Sequence, residues 1–162
     1  LQKAFLKSPI KYSRISSRYN LKRRIRLYGN RARPHKGTDF AAAVGTPILA
    51  TASGTVVEST RRVGNGKYVK IRHNATYSTQ YLHMSKRLVT VGDFVKQGDE
   101  IGKVGMTGNT SGPHVCYRFW KNGRQVDPFR QKLPDAKALP EKYKPDFLDY
   151  IAPLKQQLDS IN

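Results

Sequence analysis

Gly54-Thr55-Val56-Val57-Glu58-Ser59 and Tyr68-Val69-Lys70-Ile71-Arg72-His73, joined through Asn65-Gly66, decide the fold. Each run is short and rich in β-branched and aromatic residues. An Asn-Gly pair between two such runs supplies the positive φ angles of a tight hairpin. The pattern extends outward in both directions. Thr38–Ala42 and Pro47–Ala50 precede it, and Thr79–Met84, Glu100–Gly105 and His114–Lys121 follow. Gly45-Thr46-Pro47 and Asn122-Gly123 mark further turns. The expected fold is therefore all-β: an antiparallel sheet with a small barrel or sandwich core and short helical segments at its periphery.

Composition changes at both ends of this region. Residues 1–34 are basic and weakly periodic, a lead-in expected to pack on the domain formed by residues 35–134. Residues 135–162 contain Pro140, Pro145 and Pro153, with apolar spacing at Phe147, Ile151, Leu154 and Leu158. That suits a helical or extended tail. A chain of 162 residues with 38% hydrophobic content can bury one sizeable core. No run approaches the roughly 20 apolar residues of a membrane helix. No secretory leader is legible, but the chain opens on Leu1, so that absence carries no weight on location.

The net charge is +19, and no acid precedes Asp39. Such a surface draws polyanions, either nucleic acid or an anionic cell envelope, and charge alone does not choose between them. The single cysteine, Cys116, excludes an internal disulfide.

The chemistry rests on four histidines: His35, His73, His83 and His114. Asp39 follows His35 by four residues, and Cys116 follows His114 by two. Side chains two apart on a strand share a face, so His114, Cys116 and Arg118 look one way while Val115, Tyr117 and Phe119 look toward a core. Imidazole, carboxylate and thiolate are all zinc ligands, and catalytic zinc uses three of them with a fourth position open. A lone histidine or cysteine in a strand is more often structural, which is the reading that His73 takes at the end of its run.

Specificity comes from the ordered combination. His35-Lys36-Gly37-Thr38-Asp39-Phe40, Gly45-Thr46-Pro47-Ile48, Ala52-Ser53-Gly54-Thr55-Val56, Gly66-Lys67-Tyr68-Val69 and Tyr81-Leu82-His83-Met84-Ser85 occur in turn. Val91-Gly92-Asp93-Phe94-Val95-Lys96-Gln97-Gly98 and Gly105-Met106-Thr107-Gly108-Asn109-Thr110-Ser111-Gly112-Pro113-His114 follow. From about Arg33 to Arg130 the sequence resembles the M23 (LytM/lysostaphin-like) zinc metallopeptidases. The resemblance implies a Zn²⁺-dependent endopeptidase acting on peptidoglycan in the periplasm or outside the cell. It implies His35 and Asp39 as zinc ligands, His83 and His114 as catalytic residues, and Tyr81 lining the site. The family reads His-x-His where this chain reads His114-Val115-Cys116. Either the Cys116 thiolate replaces the third imidazole ligand or the site is degenerate; replacement is expected, because every other element is intact.

Three other readings compete. A degenerate member would bind cell wall or activate other hydrolases, and would purify without stoichiometric zinc. A biotinyl/lipoyl-type carrier shares the phrasing of Val91–Gly102, but offers no convincing exposed lysine at a hairpin tip and leaves the histidines unexplained. A nucleic-acid binder is suggested by Tyr12, Tyr19 and Tyr28 among the N-terminal cations, yet no recognition motif accompanies them, and no nucleic-acid partner is expected. Oligomeric state is not legible.

Overall fold

The computed structural model describes residues 4–11, 14–24, 32–133 and 141–159. Tyr12 and Tyr28 lie outside the described residues, as do parts of the lead-in and of the tail. Two compact units emerge: Phe5–Leu133, and a second made of Leu1–Ala4 with Pro134–Asn162.

The first unit is built from β1 (Arg14–Ser17), β2 (Thr38–Ala41), β3 (Pro47–Leu49), β4 (Gly54–Arg62), β5 (Gly66–Arg72) and β6 (Tyr77–Met84), followed by β7 (Lys86–Arg87), β8 (Phe94–Val95), β9 (Glu100–Lys103), β10 (His114–Lys121) and β11 (Arg124–Val126). The larger sheet runs β1-β2-β10-β6-β5-β4-β8, with β11 also paired to β10. A smaller sheet runs β3-β9-β7. Every pairing is antiparallel. The all-β expectation holds. The second unit contains one α-helix, α1 (Lys144–Asp159), with Pro153 inside it.

The two Asn-Gly signals fold differently. At Asn122-Gly123 both residues take positive φ, and Lys121 pairs directly with Arg124. This is the two-residue hairpin expected of the dipeptide. At Asn65-Gly66 only Gly66 is left-handed, and Arg62 pairs with Gly66 across a three-residue loop.

Alternation sorts β10 as its sequence suggests. Val115, Tyr117 and Phe119 are buried in the core. Tyr117 packs against Tyr81 and Phe40, and Phe119 against Phe5 and Tyr77. Two buried tyrosine hydroxyls, on Tyr81 and Tyr117, meet the Thr51 hydroxyl at 2.9 and 3.0 Å, so these three buried hydroxyls satisfy one another. Tyr81 therefore does not line the site. It lies opposite Tyr117 on the core face, fully buried, with its hydroxyl also accepting from Thr79. The opposite face of β10 and β6 holds His114, Cys116 and Leu82, and the site is built there.

Candidate metal centre

Strand register brings two of the expected ligands side by side. β2 pairs with β10 so that Cys116 stands directly opposite Asp39. Leu82 flanks Cys116 on its other side, and Tyr68, Leu82 and Cys116 form a buried cluster beneath the site. His35 precedes β2 and is anchored by a bridge to Asn20. The segment between passes close to β10. A Cβ on Gly37 would come within 2.8 Å of the Cys116 sulfur and 3.0 Å of the Tyr117 carbonyl oxygen, so only glycine fits.

The ligand atoms of His35, Asp39 and Cys116 all lie within 4.8 Å of one another. His35 Nε2 is 3.0 Å from Asp39 Oδ1 and 3.6 Å from Cys116 Sγ. On the other side of the ring, Nδ1 faces the Arg18 carbonyl oxygen at 3.0 Å and the Ser17 hydroxyl at 3.2 Å. Nδ1 thus donates to Arg18, which leaves the Nε2 lone pair turned toward a carboxylate and a sulfur. Three electron-rich atoms converging in this way call for a cation between them. Nitrogen, oxygen and sulfur donors with a carbonyl-anchored imidazole fit zinc well.

Two further imidazoles complete the arrangement. The rings of His83 and His114 are 4.8 Å apart, and His114 Nε2 is 3.7 Å from Asp39 Oδ1. His83 Nδ1 donates to the Thr107 carbonyl at 2.8 Å, and His114 Nδ1 to the Gly112 carbonyl at 2.8 Å. The Thr110 hydroxyl lies 3.0 Å from the same His114 nitrogen. In each ring Nδ1 is committed to backbone, so Nε2 is left for chemistry.

The electrostatics follow from burial and neighbours. Burial works to raise the Asp39 carboxyl, but the hydrogen bond and charge of His35, with His114 nearby, outweigh it and hold Asp39 below its ordinary value. Burial lowers His83, joined by the charges of His114 and Arg118, against the opposing pull of the Thr107 carbonyl and Asp39. Burial and the Asp39 charge push the Cys116 thiol well up. Without a metal the thiol is thus kept neutral, and a bound cation is what would make it a thiolate.

His73 lies outside this group. Its ring nitrogens are taken by the Ser53 carbonyl at 2.9 Å and the Thr79 hydroxyl at 2.7 Å, a structural role.

Sequence reasoning missed the groups that aim the imidazoles: the carbonyls of Arg18, Thr107 and Gly112. A backbone carbonyl leaves no residue-type signal. Glycines do mark two of the places: Gly108 follows Thr107, and Gly112 itself supplies the carbonyl that aims His114.

With this geometry in place, the likeness to known proteins is informative. The model of Peptidase family M23 matches residues 33–128. The chain belongs to peptidase family M23. Among M23 relatives, the peptidoglycan DD-endopeptidase ShyC of Vibrio cholerae is 44% identical over 161 residues, which span 99% of this chain and 36% of that protein. The crystal structure of a zinc containing peptidase from Vibrio cholerae superposes with a TM-score of 0.77 at 37% identity, covering 82% of this chain and 41% of the other. The catalytic domain of lysostaphin from Staphylococcus simulans gives a TM-score of 0.63 at 31% identity, covering 72% of this chain and 90% of that domain. The chain therefore has the M23 fold, and it spans roughly a third of the length of the curated relatives it matches.

Proposed function

We propose that this M23 domain is a zinc-dependent endopeptidase that hydrolyses peptide bonds in peptidoglycan stem peptides or cross-bridges, acting in the periplasm or outside the cell. The observation that carries the reading is the convergence of His35, Asp39 and Cys116, with ligand atoms within 4.8 Å, beside His83 and His114, whose Nδ1 atoms are both held by backbone carbonyls. Relatives described as peptidoglycan DD-endopeptidases support the substrate class.

His35, Asp39 and Cys116 would hold the ion, with Arg18 fixing the His35 ring. Zinc bound there supplies Lewis acidity toward the scissile carbonyl and the attacking water. The remaining steps belong to His83 and His114. Depressed by burial, His83 is neutral near pH 7 and accepts a proton at Nε2 from the attacking water. The proton that His83 takes up at Nε2 can then pass to the leaving amine, and His114, 4.8 Å away ring to ring, lies beside it to share that proton with the developing oxyanion. Thr107 and Gly112 keep both rings from turning away between these steps. The thiolate also alters the charge of the centre. One carboxylate and one thiolate cancel a divalent ion, whereas a His–Asp–His set would leave a net charge of about +1.

The test is digestion of intact sacculi by zinc-loaded protein, with mass analysis of the released fragments. The expected result is soluble fragments bearing newly formed amine and carboxyl ends within the peptide portion. Sacculi left unchanged by protein shown to contain zinc would overturn the reading.

A further inference from the structure

The β4–β5 hairpin carries a pair of cations that the metal centre does not use. Arg61, Arg62 and Val63 line an open surface hollow of about 480 Å³ that is bordered on its other side by Gly108 and Asn109. We propose that this hollow is a substrate subsite in which Arg61 and Arg62 bind a free carboxylate of the peptide being cut. The proposal rests on the peptidase reading above and extends it to substrate selection.

The lining is suited to an anion. Its side chains are two guanidiniums, one carboxamide and one valine, with no carboxylate among them. A guanidinium presents a planar fork of donors that matches a carboxylate. Arg62 is also largely exposed and available. Its acidic neighbour, Glu58 at 3.8 Å, is a weak exposed pair that leaves the fork open, because Glu58 is held instead by the Tyr68 hydroxyl and by Lys70 at 3.4 Å. The Tyr68 ring belongs to the cluster under Cys116, so the support of the hollow reaches to the metal centre.

Position is the stronger argument. The hairpin and the loop opposite it are clamped together at backbone distance. A Cβ on Gly66 would stand 2.1 Å from the Thr107 carbonyl oxygen, and one on Gly108 would stand 2.3 Å from the Gly66 nitrogen. Asn109 N–H donates to Gly64, Lys67 N–H to the Thr107 hydroxyl, and His83 N–H to Asn65. The Thr107 carbonyl that aims His83 is thus fixed to the turn that follows Arg61 and Arg62. A substrate group held by the arginines is held in register with His83, which is what selection at a scissile bond requires. A peptide with a free chain end supplies a carboxylate of the kind that paired guanidiniums bind.

Two soluble cross-linked peptides, identical except that the terminal carboxylate of one is amidated, test this with zinc-loaded protein. Exposed charge pairs are individually weak, so wild type is expected to favour the free carboxylate by about fivefold in kcat/KM, expressed in KM. Arg61→Gln with Arg62→Gln should bring that ratio to about one, and Arg61→Lys with Arg62→Lys should restore part of it. Metal content and melting temperature of each variant confirm that the fold is intact. A wild type that does not discriminate, or a glutamine variant that still does, overturns the proposal. So does a variant that keeps the ratio but loses retention on sacculi, since an anionic polymer would then occupy the hollow. Should wild type cut neither peptide, calorimetric titration separates the two claims. Tighter binding of the free carboxylate that disappears in the variant upholds the subsite while the hydrolytic reading fails; equal binding overturns the subsite.

Discussion

His83 shows most clearly how a single residue makes the site. Regular alternation along β6 would place it beside Tyr81, facing the core. Instead the β5–β6 register slips between Val69 and Lys67, so that Leu82 and His83 together face one residue of β5. His83 takes φ +63° in this bulge. A bulge re-aims a side chain at the cost of local strain, and here the ring turns toward His114. Replacing His83 or His114 by alanine should leave zinc bound while lowering the hydrolysis rate roughly 10²–10⁴-fold. Near-normal rates in either variant would contradict the roles given to them. The strain makes a separate forecast. At an ordinary strand position glycine is less stable than alanine by about 0.5–1 kcal/mol. In a left-handed conformation that order should vanish or invert, so His83→Gly should unfold at a denaturant concentration no lower than His83→Ala. His73 illustrates the other fate of a histidine. Burial, partly offset by the Ser53 carbonyl, holds it below its ordinary value of 6.5. The unfolded chain therefore takes up this proton first as pH falls. Its contribution to stability is complete above about pH 6.5 and is lost as pH drops toward the folded-state value. Urea midpoints should fall less steeply between about pH 7.5 and 5 in His73→Gln than in wild type. At this scale the sequence was most informative where a side chain does the chemistry. It was silent where a carbonyl does, and it gave no sign of the bulge that turns His83 out of the alternation of β6, because a bulge leaves no mark in residue type.

Elements place the ligands through pairing. β2 and β10 are far apart in sequence, and their register alone sets Asp39 against Cys116. The long strands were readable, since β10 needs only period-2 alternation and its observed bounds match the expected ones. β7 and β8 are two residues each and β11 is three, too short to show a period. β1 is Arg14-Ile15-Ser16-Ser17, whose polar composition conceals an edge strand formed by pairing with β2. The turn at Gly66 ties the β4–β5 hairpin to the loop at Thr107. Gly66→Ala would combine a disfavoured φ with a clash against the Thr107 carbonyl. A stability loss of about 2 kcal/mol or more is expected, along with reduced hydrolysis as His83 loses its anchor. Denaturant unfolding and peptide hydrolysis on the same preparation check both. A Gly66→Ala protein with unchanged stability would contradict the clamp.

Across the whole molecule, charge and metal set the behaviour. The chain carries +19 with no acid before Asp39. Retention on sacculi should therefore weaken steeply with added salt, because screening shortens to about 8 Å near physiological ionic strength. Salt-independent retention would assign binding to the site itself instead. A metal held by His35, Asp39 and Cys116 would join a residue before β2, one in β2 and one in β10, so its binding would be coupled to the stability of the sheet. The central claim is that Cys116 completes a zinc site in place of an imidazole. Zinc content, measured in protein purified without added metal, tests it most directly across wild type, Cys116→His and Cys116→Ser. Near-stoichiometric zinc is predicted in the first two and a large deficit in the third, since a neutral hydroxyl is a far weaker ligand. A folded Cys116→Ser protein that holds as much zinc as wild type would contradict the account.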